Sequence, residues 1–320
     1  MKLVVTGGAG YIGSVVTSQL LDAGHEVTVV DDLATGHRDA VPEGARFVQA
    51  RIHDAGDFLG GQGGEVDGVL HFAAKSLVGE SVERPELYWE NNVVGSFALL
   101  EAVRAASIPR FVFSSTAACY GEPDVSPITE DVTPAPINPY GHSKFAVDLM
   151  LTGYAAAHGL GATSLRYFNV GGARGPYGER HAIETHLIPN LLKVPAGQRE
   201  RAAIFGTDYA TPDGTAVRDY LHVVDLGRAH LLALDSSEPG RHRVFNLGSG
   251  SGYSVRQVLD ACREVTGHDI PADEHPRRPG DPTTLVASSA RAKAELGWEP
   301  QLGLREIVSD AWTFLQGQAS

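Results

Sequence analysis

Cysteine and methionine are scarce, two of each in 320 residues. Cys119 and Cys262 stand isolated and form no metal-type cluster, which points to reduced thiols and a cytosolic setting. Long apolar runs are missing as well, so a membrane-spanning role is excluded. A β-rich run from Lys2 leaves no room for a signal peptide. Lysine occurs only five times, and 26 basic against 39 acidic residues leave a formal charge of −13 with no basic run. That balance opposes a nucleic-acid backbone as partner. An anionic small molecule is still allowed, because a few arginines or a helix N-terminus bind phosphate locally whatever the total charge. Repeats and low-complexity tracts are absent too.

What is present is alternation. Short β-rich runs (KLVV, EVTVV, RFVQA, VDGVLHF, RFVFSS, ATSLRY) are separated by helical stretches at 12–23, roughly 86–106 and roughly 139–158. This predicts an α/β fold, a Rossmann-like doubly wound parallel sheet with helices on both faces. The strands are apolar on both sides, as covered parallel strands are, and the intervening segments are too long for the hairpins of an antiparallel sandwich. After about residue 170 come Gly-, Pro- and Asp-rich loops, then a strand at RVFNLG, a helix at 254–266 opened by the capping box Ser254-x-x-Gln257, and helices near 289–296 and 303–316. The expected organisation is a nucleotide-binding domain over 1–170 and a smaller α/β substrate lobe over 171–320, with the chain crossing between them.

The first strand runs into TGGAGYIGS, so Gly8-x-Gly10-x-x-Gly13 has the strand–turn–helix setting of a dinucleotide fingerprint. The helix that follows is expected to stop at Gly24. Asp31-Asp32 closes the second strand, with Asp31 18 residues after Gly13, where a carboxylate accepts the adenosine ribose hydroxyls. Two carboxylates favour NAD over NADP, although His37 and Arg38 leave room for a 2′-phosphate.

NPYGHSKFAVD sets Lys144 four positions after Tyr140 behind an N-cap Asn138 and a first-turn Pro139. Ten tyrosines and five lysines give about 0.16 such pairs by chance, so the spacing alone proves little. On one helix face a cation within about 4–6 Å lowers a phenol's pKa by roughly 1–3 units, and the pair is expected to yield a general base. Upstream, RFVFSST ends a strand in three hydroxyls, Ser114, Ser115 and Thr116, at the edge where doubly wound sheets bind ligands.

Taken together, TGGAGYIG, HFAAKSLVGESV, NNVVGS, FSSTAACYG, PYGHSK, LRYFNVGGARG, GTDYATPDGTAVRDYLHV, VFNLGSGSGYSV and RRPGD carry a resemblance. The chain resembles the extended short-chain dehydrogenase/reductases, and within them the UDP-glucose 4-epimerases, nearly end to end. The resemblance implies an NAD-dependent isomerase of galactose and nucleotide-sugar metabolism, cytoplasmic and homodimeric through the helices at 86–106 and 139–158. UDP-galactose and UDP-glucose would interconvert by transient oxidation at C4, the 4-keto sugar rotating in the site. It implies Tyr140 as acid/base, with Lys144 and Thr116 as its catalytic partners.

By the same resemblance Gly7, Gly10, Tyr11, Ile12 and Gly13 lie on the pyrophosphate side, and Asp31 and Asp32 on the ribose side. Ile52, Phe72, Ala73, Ala74, Lys75, Asn92, Ser114 and Phe168 complete the cofactor surface. Asn169, His186, Leu187, Ile204, Phe205 and Tyr220 line the UDP-sugar pocket, Arg218 and Arg278 clamp the diphosphate, Asp281 takes the uridine ribose and Leu285 sets the size of the sugar admitted. Departures also stand out. Arg51 replaces an Asp that bonds adenine in many members, Ser76 replaces a cofactor-binding Lys with Lys75 one place earlier, and His186 replaces an Asn. No metal is expected: His181, Glu184 and His186 fit no standard spacing and read as a polar loop.

The alternatives are another UDP-sugar substrate (N-acetylhexosamine or pentose), other nucleotide-sugar chemistry, and a non-catalytic NAD-binding protein. A 4,6-dehydratase needs acids just after the strand-end Thr, where Ala117 and Ala118 stand, and a UDP-uronic acid decarboxylase is disfavoured similarly.

Overall fold

In a computed structural model, which describes residues 1–60, 66–278 and 281–318, seven strands form one parallel sheet: β1 (Lys2–Thr6), β2 (Glu26–Asp31), β3 (Arg46–Gln49), β4 (Gly68–His71), β5 (Arg110–Thr116), β6 (Gly161–Tyr167) and β7 (His242–Leu247). Their order across the sheet is β7-β6-β5-β4-β1-β2-β3. The winding changes direction at β1, since β2 and β3 extend one way and β4 onward the other. A crevice opens beyond the carboxyl ends of the strands at such a reversal.

Successive residues of each strand feed opposite cores. Leu3 and Val5 pack with Val16 and Leu20 of the helix Tyr11–Asp22 and with Leu226 and Ala229 of the helix Val223–Asp235. Val4, between them, packs instead with Leu99, Val103, Val147 and Leu151 from helices Gly95–Ala105 and Pro139–His158. Each fully buried Val or Leu contributes on the order of 1.5–3 kcal/mol, so a strand apolar on both faces is held from both sides.

A third core gathers Ile188, Leu191, Ile204, Val258, Leu259, Ile307 and Val308 around the helices Leu187–Leu192, Val255–Thr266 and Leu304–Gln318. The chain passes back into the large sheet from this region: β7 pairs with β6 in register Phe245↔Leu165, and Trp298, fully buried, donates its indole N–H to Asp225 O at 2.9 Å. The capping box at Ser254 and Gln257 forms with both of its hydrogen bonds. Among the described residues no helix is long and apolar enough to cross a membrane.

The helix anticipated over 86–106 differs in one respect. It begins at Pro85, and Trp89–Val94 forms a π-helical turn before Gly95. Such turns insert one extra residue per turn and cluster at functional sites; here the turn carries Asn92 inward, 2% exposed.

Candidate active site

The glycine cradle follows from sterics. Gly7 has φ +73°, and a Cβ there would lie 2.5 Å from Ala73 N, on the next strand's exit loop. At Gly13 a Cβ would come within 2.8 Å of Gly8 Cα, so the helix packs closely onto the loop only without side chains. The helix Tyr11–Asp22 has Gly10 as N-cap, without a side-chain cap and without an acid in its first turn. Its leading N–H groups therefore face the crevice uncapped, a site for phosphate oxygens.

Asp31 is 8% exposed; its carboxylate accepts Ala9 N–H at 3.0 Å and Leu33 N–H at 2.9 Å. Burial nonetheless raises its pKa. Each oxygen keeps acceptor capacity for a hydroxyl. Asp32 is exposed and accepts Ala34 N–H. Cradle, uncapped helix and carboxylate together fit a dinucleotide.

Beyond β4, Phe72 and Ala73 both donate N–H to Thr6 O, at 2.9 and 3.1 Å. Asn92 clasps the segment, accepting Lys75 N–H at 2.8 Å and donating to Lys75 O at 2.9 Å, while also donating to Ser143 Oγ at 3.0 Å. It thereby ties the 72–75 loop to the helix that carries Tyr140. Ile52 is buried, Ser76 exposed, and Phe168 half-buried. Arg51 pairs with Glu90 at 2.9 Å and lines a cavity with Asp32, Gln49 and Asp54.

The helix Pro139–His158 begins with Asn138, whose side chain accepts Gly141 N–H at 2.8 Å, and Pro139 at the first position. Lys144, 3% exposed, donates Nζ to Ser114 O at 2.7 Å and lies 4.8 Å from the Phe113 ring centre. Burial brings its pKa down to about 8. Thr116, whose Oγ1 accepts Ala118 N–H at 3.1 Å, draws the Tyr140 pKa down.

The phenol departs from expectation. Burial pushes Tyr140 up to about 12, Thr116 opposes the rise, and Lys144 is not among its causes. In the protein alone burial outweighs the expected depression.

Several neighbours were not legible as site residues. Tyr88 packs edge-on against Tyr140, with ring centres 6.4 Å apart, and its hydroxyl donates to Leu77 O. Tyr167 shares a hydrogen bond with Ser114 Oγ. Behind them Arg166 and Asp148 form a buried ion pair at 2.7 Å. Asp148 is legible only as the residue one turn beyond Lys144 on the same helix.

In the C-terminal region Arg218 pairs with Asp281 and donates to Val217 O at 2.8 Å. Leu285 is its register partner on the adjacent strand. Arg278 lies over the Phe205 ring at 4.1 Å, and Asp281 N–H bonds Arg278 O. Asn169 donates from its side chain to Asp219 O at 3.2 Å.

Ile204 and Tyr220 are 2% and 7% exposed, inside the third core rather than on an open surface. Leu187 is half-buried and His186 exposed. Asp219, missed beside Arg218, is fully buried and accepts Ser249 N–H, Gly250 N–H and Ala287 N–H at 2.6–3.1 Å. It is the post that holds the Arg218 strand to two loops.

A nucleotide cradle at the sheet reversal, with the half-buried Tyr140 and the buried Lys144 and Thr116 beside it, defines a class of nicotinamide-dependent sugar-modifying proteins. The model of the NAD dependent epimerase/dehydratase family matches residues 3–248, and the chain belongs to that family. It is 59% identical to a UDP-glucose 4-epimerase of Corynebacterium glutamicum, over 98% of this chain and 95% of that one. With a UDP-glucose 4-epimerase of Streptomyces lividans the identity is 54%, over 97% and 95%. A crystal structure of the Stenotrophomonas maltophila UDP-glucose 4-epimerase, with bound NAD and formylated UDP-arabinopyranose, superposes with a TM-score of 0.96 at 38% identity, covering 100% and 99% of the two chains.

Proposed function

We propose that the protein interconverts UDP-galactose and UDP-glucose by transient oxidation at C4. The observation that carries this reading is Thr116, at the carboxyl end of β5, acting on the Tyr140 phenol beside a Lys144 buried against Ser114 O. NAD, when bound, supplies a hydride acceptor at C4, a source for the hydride's return, and a positive charge near the phenol. Tyr140 takes the proton of the 4-hydroxyl and gives it back after the keto sugar has turned; Thr116 orients that hydroxyl. A phenol held near 12 is a weak base at neutral pH, so turnover depends on the cofactor's charge to favour the phenolate. Lys144 holds the nicotinamide ribose as well as Ser114's carbonyl.

On this reading residues 1–170 chiefly hold the cofactor, with Gly7, Gly10 and Gly13 under the pyrophosphate and Asp31 at the ribose. Residues 171–320 chiefly hold the UDP-sugar. Arg218 and Arg278 clamp the diphosphate, Asp281 meets the uridine ribose, and Phe205 and Asn169 flank the pocket. Ala117 and Ala118 form a short turn after Thr116 and offer no proton donor for dehydration.

The protein works as a cytosolic homodimer. Trp89, Val94, Phe97 and Leu149, each 43–58% exposed, form an apolar surface on the helices over 85–105 and 139–158, suited to a second copy. Incubating the purified protein with UDP-galactose and no added NAD, and following UDP-glucose by NMR, tests the reaction; UDP-N-acetylgalactosamine run beside it reads substrate breadth. No product from either sugar would overturn the proposal.

A further inference from the structure

Between the Arg174–Tyr177 turn and the helix Leu187–Leu192, four side chains with metal-ligating atoms converge. His181, Glu184 and His186 were legible as a group; Glu179 completes it. One donor atom from each lies within 4.8 Å of every other. The Glu179 and Glu184 side chains are only 7% and 4% exposed, and two carboxylates so enclosed require positive charge nearby.

The hydrogen-bond pattern is incomplete. His186 Nδ1 faces Glu179 Oε1 at 2.5 Å and Glu184 Oε1 at 3.0 Å, yet one ring nitrogen carries at most one proton for two acceptors. Glu184 Oε1 also accepts the His186 backbone N–H at 2.8 Å. His181 Nδ1 is buried and lies 3.0 Å from Glu179 Oε1 and 3.8 Å from Glu184 Oε2, but makes no hydrogen bond.

A four-coordinate zinc ion with bonds of about 2.0–2.1 Å to nitrogen and oxygen has ligand–ligand edges of about 3.3–3.5 Å. The four His–carboxylate separations, 2.5–3.8 Å, lie around that edge, in a group whose donor atoms spread to 4.8 Å. Two imidazoles with two carboxylates suit a borderline dication; magnesium and calcium call for six or more oxygens.

We propose that Glu179, His181, Glu184 and His186 bind one divalent transition-metal ion, with zinc the best match. The ion neutralises the enclosed carboxylates and ties the 179–186 segment together. Its charge lies near Tyr11, whose hydroxyl donates to Gly172 O at 2.6 Å and whose surroundings include both carboxylates. It also fixes the ring of His186 at the mouth assigned to the UDP-sugar. This inference does not rest on the proposed reaction, and its readout is metal uptake.

The full chain, dialysed against a chelator and then titrated with ZnCl2 by calorimetry, is expected to take one zinc per chain with Kd below about 1 μM. Elemental analysis after gel filtration should agree, and Co2+ should give the visible spectrum of a four-coordinate nitrogen/oxygen site. Glu179→Gln and His181→Ala are each expected to weaken binding at least about 100-fold, with circular dichroism reporting whether they fold. If a variant fails to fold, the wild-type stoichiometry and the Co2+ spectrum decide. The proposal is overturned if the wild type takes up less than stoichiometric zinc, if Co2+ stays octahedral, or if folded variants bind like the wild type, which would assign the uptake to other histidines.

Discussion

Replacing Tyr140 with Phe removes one hydroxyl and leaves the ring against Tyr88. The structural loss is small. Thr116 Oγ1 keeps its bond from Ala118 N–H, and a neutral hydrogen bond is worth about 1 kcal/mol net, so the melting temperature should move by only a few degrees. The chemical loss is large, because a positioned acid/base contributes about 10²–10⁴-fold, or roughly 3–5 kcal/mol of barrier. Binding should barely change if, as proposed, the UDP half of the substrate is held by Arg218, Arg278 and Asp281, away from the phenol. We therefore expect kcat to fall at least 100-fold by NMR time course, with the calorimetric affinity for UDP within about threefold of wild type. A kcat within tenfold of wild type, or turnover and UDP binding lost together, would refute the assignment of Tyr140.

Lys144→Met should lower turnover while raising stability at neutral pH. Its folded pKa, about 8, lies below the unfolded value of about 10.4, so the cost of burying the ammonium is fully present below pH 8 and is relieved as pH rises toward 10.4. The variant's advantage, on the order of 2 kcal/mol, should be largest below pH 8 in urea melts and shrink above it; an advantage that grows with pH would contradict the burial argument. Arg218→Lys should weaken UDP binding roughly 10–100-fold, since an ammonium cannot serve Val217 O, Asp281 and a phosphate in one plane; calorimetry with UDP checks it. Leu285→Tyr should suppress any N-acetylhexosamine turnover more than glucose turnover, and equal loss on both would remove Leu285 from sugar selection. Light scattering should read twice the 34.0 kDa chain mass, falling to one chain for Phe97→Asp.

The parts legible in the sequence are those set by local chemistry. Gly8, Gly10 and Gly13 need no partner to be recognised, because strand, turn and helix adjoin in the chain, whereas Gly7, whose positive φ and approach to Ala73 the structure shows, came only from the family resemblance. Asn138-Pro139 announces its helix by capping chemistry, and the run VVT reads as a doubly covered strand. Contacts between distant segments were hidden. Nothing in NNVVGS shows that a π-turn aims Asn92 at Lys75 and Ser143. In the protein alone burial outweighs the expected depression of the Tyr140 pKa, which lies near 12; helical spacing places Tyr140 and Lys144 near each other but does not show how deeply the phenol is enclosed. Glu179 escaped notice because a loop, with no fixed period, folds it onto His181 and His186.

The central claim is that hydride leaves C4 and returns to the same carbon without passing through solvent. UDP-galactose deuterated at C4 tests it directly. The protein with no added NAD, run in ordinary water, should yield UDP-glucose that retains deuterium at C4, with loss of label no greater than in an enzyme-free control. Deuterium washed into water, or inversion that proceeds equally well after the bound dinucleotide has been stripped, would contradict the account.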